Sequence, residues 1–225
     1  MKENKIKRFR NCRGFTLTEA LVTTSIFTII SAGMATFMVD TSEGLFWAMK
    51  KSLISKDVRH FTQRITMETL GANTAYVYPS YLLKDRDKAE DRKQSGESGD
   101  CLVLIQYDPY PGVHDDKHYT KVIVYYREPD ANGKSPVYRI EKSFDPPSEI
   151  KTDSGFDHFE NFLNENLVAH NPNNEIVIEL SRGLADGSLF RNLGNNSYIV
   201  NGEILHGNEV KEITNTYNLT ISPRG

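Results

Sequence analysis

No proline occurs before Pro79 in this 225-residue chain, and no charged residue falls between Glu19 and Asp40. The first absence removes the strongest helix breaker from the N-terminal third. The second removes any solvated face from the 20 residues Ala20 to Val39, and about 30 Å of helix, at ~1.5 Å per residue, covers a bilayer's hydrocarbon core. Catalytic signatures are missing as well. There is no phosphate loop, nucleophile elbow or metalloprotease helix, so neither an enzyme class nor a cofactor is indicated. His114, Asp115, Asp116 and His118 gather metal-capable side chains within five residues of a Pro/Gly loop, a setting in which such groups are more often solvated than ligating. Asp130, Asn132 and nearby carbonyls could in principle take calcium, but hairpin-turn chemistry already explains those residues. Asn195-Asn196-Ser197 and Asn218-Leu219-Thr220 match glycosylation acceptors, as short sequences do by chance.

What is present begins with charge. Residues 1 to 14 hold Lys2, Lys5, Lys7, Arg8, Arg10 and Arg13 against the single acid Glu3, while the whole chain carries −3. A cationic leader in front of an acidic body is a targeting pattern and not a fold feature. Basic residues ahead of the span predict an N-terminus in the cytoplasm and an exported remainder. A cleaved secretory signal would need a shorter apolar region ending near Ser31-Ala32-Gly33, yet Met34, Phe37, Met38 and Val39 carry the run past that point. A buried helix of a soluble domain fits neither the basic flank nor the place at the chain terminus. A plain signal-anchor fits the length and leaves Glu19 without a purpose, since a carboxylate inside a span costs a few kcal/mol by insertion scales.

Gly14-Phe15-Thr16-Leu17-Thr18-Glu19, with basic residues ahead and apolar residues behind, resembles the N-terminal signature of type IV prepilins and of the pseudopilins of type II secretion. The resemblance implies cutting between Gly14 and Phe15 by a prepilin peptidase that also acts as an N-methyltransferase on Phe15. It places Leu17 at the family's apolar position and Glu19 at the fifth residue of the mature chain. There the family's glutamate is thought to neutralise the N-terminal amine of a neighbouring subunit, which would make Glu19 a register device; the alternative is a carboxylate that snorkels to the interface. The implied partners are the peptidase, other pilin or pseudopilin subunits, an inner-membrane assembly platform and membrane lipid. The implied location is the inner membrane, crossed once, and then a periplasmic pseudopilus or an extracellular pilus. Two departures are visible. Thr36 stands where many major pilins carry a proline, which is more typical of minor members. Cys12 leaves with the leader, so Cys101 alone cannot form the internal disulfide of many pilins; it opens an apolar run and is expected to be a buried small hydrophobe.

Beyond the span, Phe46, Met49, Leu53, Val58, Phe61, Ile65 and Leu70 recur at three to five residues. Their spacing predicts one amphipathic stripe on a helix that continues to Leu70 or Gly71, roughly 84 Å from Phe15 at ~1.5 Å per residue. Two helices broken between Asp40 and Gly44 are the alternative. Residues 84–100, dense in charges of both signs and then in Ser and Gly, predict a mobile solvated loop and no nucleic-acid patch. Period-two runs predict strands at Cys101–Tyr107, Lys121–Arg127, Val137–Ser143, Glu175–Ser181 and Tyr217–Ser222, with a shorter pair at Tyr198–Val200 and Glu203–Leu205. Residues 156–166 predict a short helix capped by Asp153 or Ser154. The expected fold is α+β: leader 1–14, a long helix 15–71 whose transmembrane part is 15–39, and a head 72–225 in which an antiparallel sheet packs on the helix. The Tyr-rich stretch 122–144 and the final strand resemble J-type minor pseudopilins and PilW-like minor pilins, which act at a filament tip or in assembly initiation. A signal-anchored protein with an exported binding or enzymatic head that never polymerises is the competing reading.

Overall fold

The computed structural model describes residues 16–107, 117–127, 134–150, 158–166, 174–181, 187–206 and 213–224. The chain divides into two compact units, Met1–Lys50 and Lys51–Gly225. Helix α1, Leu17–Gly71, is continuous over 55 residues and contributes to both. The alternative of two helices broken between Asp40 and Gly44 is therefore set aside, and the lack of any proline before Pro79 is consistent with that continuity.

Among the described residues of the second unit, nine strands form one antiparallel sheet. They are β1 (Thr74–Tyr78), β2 (Ser98–Gly99), β3 (Cys101–Tyr107), β4 (Lys117–Arg127), β5 (Lys134–Ile150), β6 (Glu175–Ser181), β7 (Phe190–Gly194), β8 (Ser197–His206) and β9 (Ile213–Ile221). Their order is β1-β3-β4-β5-β6-β8-β7-β2, with β9 also paired to β8. A second helix, α2 (His158–Asn166), completes the described elements.

The sheet is covered on both faces, and β3 shows why its sequence reads as an unbroken apolar run. Leu102 and Leu104 join Ile123, Tyr125, Phe61 and Ile65 on the α1 face. Cys101, Val103 and Ile105 join Val122, Val124, Tyr126, Phe159 and Leu163 on the α2 face. Cys101 is fully buried, as its apolar context predicts, and burial pushes its thiol up to about 12.

Several elements depart from the sequence expectations. The single stripe on α1 is two sets of residues. Ile54, Val58, Phe61 and Ile65 face the core, whereas Leu53 is 60% exposed and Leu70 is 38% exposed. From Leu53 to Val58 is five residues, which overshoots a full turn by about 140° and changes the face. The same step separates Ile65 from Leu70. The two short strands at 198–205 are one strand, β8, paired along its length with β9. Strands β1, β2 and β7 lie outside the expected set. Asn195 and Asn196, at φ 51° and 55°, are the centre of the β7–β8 hairpin, where a two-residue turn that follows the twist of its strands needs positive φ twice. Their acceptor-like pattern thus has a conformational cause. Gly99 has a steric cause instead, because a Cβ there would lie 2.0 Å from the Tyr78 carbonyl oxygen.

The segment between β1 and β3 is ordered rather than loose. Two short 3-10 turns, Leu83–Asp85 and Ala89–Asp91, shape it. Arg86 is 2% exposed, donates from Nε to the Tyr81 carbonyl at 2.8 Å and reaches Asn164 at 2.7 Å. Half-buried Arg92 meets Glu160 of α2 at 2.6 Å. Alternating charges in the sequence therefore conceal two arginines that fasten α2 to the sheet. The expected Asp153 or Ser154 cap, the turn at 130–133 and residues 114–116 lie outside the described residues.

Candidate functional site: the start of the long helix

Helix α1 begins with a reciprocal pair of bonds. The Glu19 carboxylate accepts from the Thr16 backbone N–H at 3.1 Å and from the Thr16 hydroxyl at 2.9 Å. In return the Glu19 N–H donates to Thr16 Oγ1 at 3.3 Å. This is a capping box, in which a Thr and a Glu three residues apart satisfy two otherwise orphaned N–H groups of a helix start. The Thr16-Leu17-Thr18-Glu19 spacing is itself the sequence signal for such a box. Leu17, between the two capping residues, is 85% exposed. Gly14 and Phe15 lie outside the described residues.

Most other hydroxyls of the span bond within the helix. Thr23, Thr28 and Thr36 donate to the Glu19, Thr24 and Ala32 carbonyls, four residues back, at 2.7, 2.8 and 2.7 Å. Ser25 donates to Leu21 in the same way at 2.8 Å. A hydroxyl that returns its proton to its own helix is tolerated in lipid at little cost. Glu19 is the carboxylate in an otherwise uncharged apolar stretch, and its hydrogen-bond partner is local.

From Thr16 to Phe46 every residue of α1 is exposed, including Phe27, Ile29, Met34, Phe37 and Met38 at 61–73%. Helix α1 is long and apolar enough to cross a membrane. Such a surface is unfavourable in water at about 25 cal/mol per Å² of apolar area and comfortable in hydrocarbon.

The charged clusters of the head have structural explanations. Glu160 is fully buried, and its Oε1 accepts from the Tyr78 hydroxyl at 2.9 Å and from Arg92. Burial first, and the neighbouring Glu160 charge second, push the Tyr78 phenol far above its usual range. Arg139 links Glu68 of α1, at 2.7 Å, to Glu141 and to Glu175 across β5 and β6. Hydrogen bonds from Lys121 and then Arg139 hold the Glu141 carboxyl down at about 2. Arg127 pairs with Asp100 at 2.9 Å, while Asp100 also accepts from the Leu189 N–H at 3.0 Å. Each cluster joins segments distant in sequence, and none sets a nucleophile beside a base. Among the described residues no group of three or more His, Cys, Asp or Glu could hold a metal ion.

Comparison with known families matches residues 9–35 to the prokaryotic N-terminal methylation motif. The match ends within the apolar half of α1 and includes no part of the head. No curated protein and no solved structure matches the chain.

Proposed function

We propose that this chain, which bears the N-terminal signature of the type IV prepilin-like and pseudopilin family, is a minor structural subunit of a type IV pilus or type II secretion pseudopilus. The observation that carries the proposal is the motif at residues 9–35 placed directly on a helix that can cross a membrane. In this reading a prepilin peptidase cuts between Gly14 and Phe15 and methylates the new amine. The basic leader keeps residues 1–14 on the cytoplasmic side, so that the head is exported. Leu17, bare on the helix surface, supplies apolar contact with neighbouring helices.

Glu19 has two partners in sequence. Before assembly the capping box holds its carboxylate on Thr16. Within a filament, the amine of a neighbour's Phe15 offers a charge-assisted bond, roughly twice as strong as a neutral one. Burying both charges together recovers much of the cost that either would bear alone, so the pair would fix the register of one helix against the next. The absence of proline before Pro79 supports a minor role over a major one, and the tip or the initiating complex is the position such a subunit would take. The role is structural, with other pilin-like subunits and the inner-membrane platform as partners.

The N-terminal residue of protein recovered from the envelope tests the proposal. Coexpression with the peptidase should give a chain shortened by its first 14 residues and beginning with N-methyl-Phe15, and Gly14→Val should leave it uncut. An intact Met1 under these conditions would support the non-polymerising anchored head instead.

A further inference from the structure

The apolar span ends at Val39, yet the first unit carries one more feature beyond it. Phe46 and Trp47 pack edge to face with ring centroids 6.4 Å apart. Lys50 turns back along the helix and holds its Nζ 4.4 Å from the Phe46 ring centroid and 5.7 Å from that of Trp47. Leu45, Phe46 and Met49 around them are 55–65% exposed. Asp40 and Glu43 separate this group from the span, so it is not simply more hydrocarbon-soluble helix. An exposed and a half-exposed aromatic ring beneath an ammonium need an environment that accepts apolar faces and cations together.

We propose that Phe46, Trp47 and Lys50 form an anchor in the lipid headgroup layer on the side of the bilayer away from the chain's N-terminus. The inference rests on the membrane anchoring of α1 and is independent of processing or filament assembly. Three arguments select lipid as the occupant. The first is chemical: indole and phenyl rings partition into the interface, while a lysine ammonium binds the phosphates of anionic headgroups. The second is continuity, since the group follows the span on the same uninterrupted helix.

The third is position. Trp47 Cα lies eight residues past Val39, about 12 Å along the axis. Helix side chains lean towards the N-terminus and cover the turn below, about 5 Å back. The bond-free approach of Lys50 to rings three and four residues earlier shows that lean directly. The Phe46 and Trp47 rings therefore reach roughly 5–7 Å beyond the hydrocarbon edge, and the Lys50 ammonium stays 4.4 Å from the Phe46 centroid. Each polar layer of a bilayer is about 5–7 Å thick, and the ordinary tilt of about 20° shortens the reach slightly further.

Trp47 is the only tryptophan of the chain, so its fluorescence reports this site alone. The full-length protein is reconstituted at low protein-to-lipid ratio in vesicles of phosphatidylcholine and phosphatidylglycerol, and flotation confirms insertion. Trp47 emission should be blue-shifted. Bromines near the headgroup end of the acyl chains should quench it several-fold more than bromines near the bilayer centre, and aqueous iodide several-fold less than it quenches a free indole. Lys50→Glu should raise iodide access several-fold in these vesicles and much less in phosphatidylcholine alone. A floating protein whose Trp47 is open to iodide and blind to brominated lipid overturns the anchor while leaving the span intact. A protein that fails to float overturns both. Emission that ignores lipid bromines but shifts with protein concentration would assign the site to contacts between copies, and the lipid proposal falls.

Discussion

Residues 17–50 and residues 54–69 belong to one helix and are both rich in apolar side chains, yet they use them in opposite ways. In the first stretch every residue is exposed or half-exposed, and apolar residues run all round the helix. In the second, Phe61, Ile65 and Thr69 are buried against the sheet, while Arg64 and Glu68 flank them and pair with strands β5 and β6. A helix with one dry side needs a stripe; a helix in an apolar solvent needs no side at all. The contrast locates stability in the second stretch and membrane or assembly chemistry in the first. Substitutions can test that division one region at a time.

Phe61→Asp should disturb the head most. Its ring is fully buried, edge-on to Tyr125 at 6.1 Å and tilted against Tyr217 at 5.7 Å. Losing the aromatic side chain and burying an unpaired carboxylate should cost about 4 kcal/mol or more, measured by denaturant unfolding of the detergent-solubilised chain. Phe37→Ala, in the first stretch, should leave the same transition unmoved. Equal transitions for Phe61→Asp and wild type would mean that α1 contributes nothing to the head.

Arg92→Ala comes next. It leaves the fully buried Glu160 carboxylate with the neutral Tyr78 hydroxyl and no counter-charge, and removing one partner of a largely buried pair costs about 3 kcal/mol. Exposed Lys84, in the same charged segment, should tolerate alanine within about 0.5 kcal/mol. A head equally indifferent to both changes would restore the solvated-loop reading that the structure replaces.

That loop shows where sequence reasoning stops. Burial of an arginine depends on a partner, and Glu160 is 68 residues from Arg92, so no local pattern announces the pair. Strands β1 and β7 share the difficulty. β1 follows α1 by three residues, which hides its period-two run behind the end of a period-3.6 one, and β7 offers only Phe190 to the core among five residues. Strands β3 and β6, by contrast, match their expected limits, because both are apolar runs with polar boundaries. On α1, Leu53 and Val58 share an apolar spacing but not a face, because a five-residue step overshoots a turn by about 140°. The family resemblance is readable from 27 residues, 9–35, because such a motif is short and linear; the head offers only the shorter and more degenerate stretch 122–144 and the final strand.

Glu141→Gln should have a smaller effect, confined to acid. Lys121 and Arg139 hold this carboxyl at about 2, against roughly 4.3 in an unfolded chain. A lowered native pKa adds stability above the unfolded value, and that increment disappears as pH falls from about 4.3 to about 2. Glu141 is one-third exposed, so solvent screening keeps the increment below about 1 kcal/mol. Unfolding free energies at neutral pH and at about pH 2 should therefore differ slightly less in Glu141→Gln than in wild type. An identical acid limb would show that the ion pairs around Arg139 add nothing.

Glu19 should have no effect on the head at all, and there the two stretches separate most completely. Glu19→Ala removes both the capping box and the charge; Glu19→Gln removes only the charge, because glutamine serves the third helical position of a capping box as glutamate does. If Glu19 pairs with a neighbour's amine, both variants should be cleaved at Gly14, remain in the membrane and be missing from sheared filaments or cross-linked subunit complexes. If the carboxylate matters only for the helix start, Glu19→Gln should assemble normally while Glu19→Ala weakens by the loss of half of the capping box. Thr16→Val tests the same point from the other side, since it deletes the hydroxyl that bonds Glu19 in both directions and leaves the charge in place. Assembly that survives Thr16→Val and fails in Glu19→Gln assigns the carboxylate to the neighbouring subunit. The reverse order assigns it to its own helix, and the pairing account would be dropped for this protein.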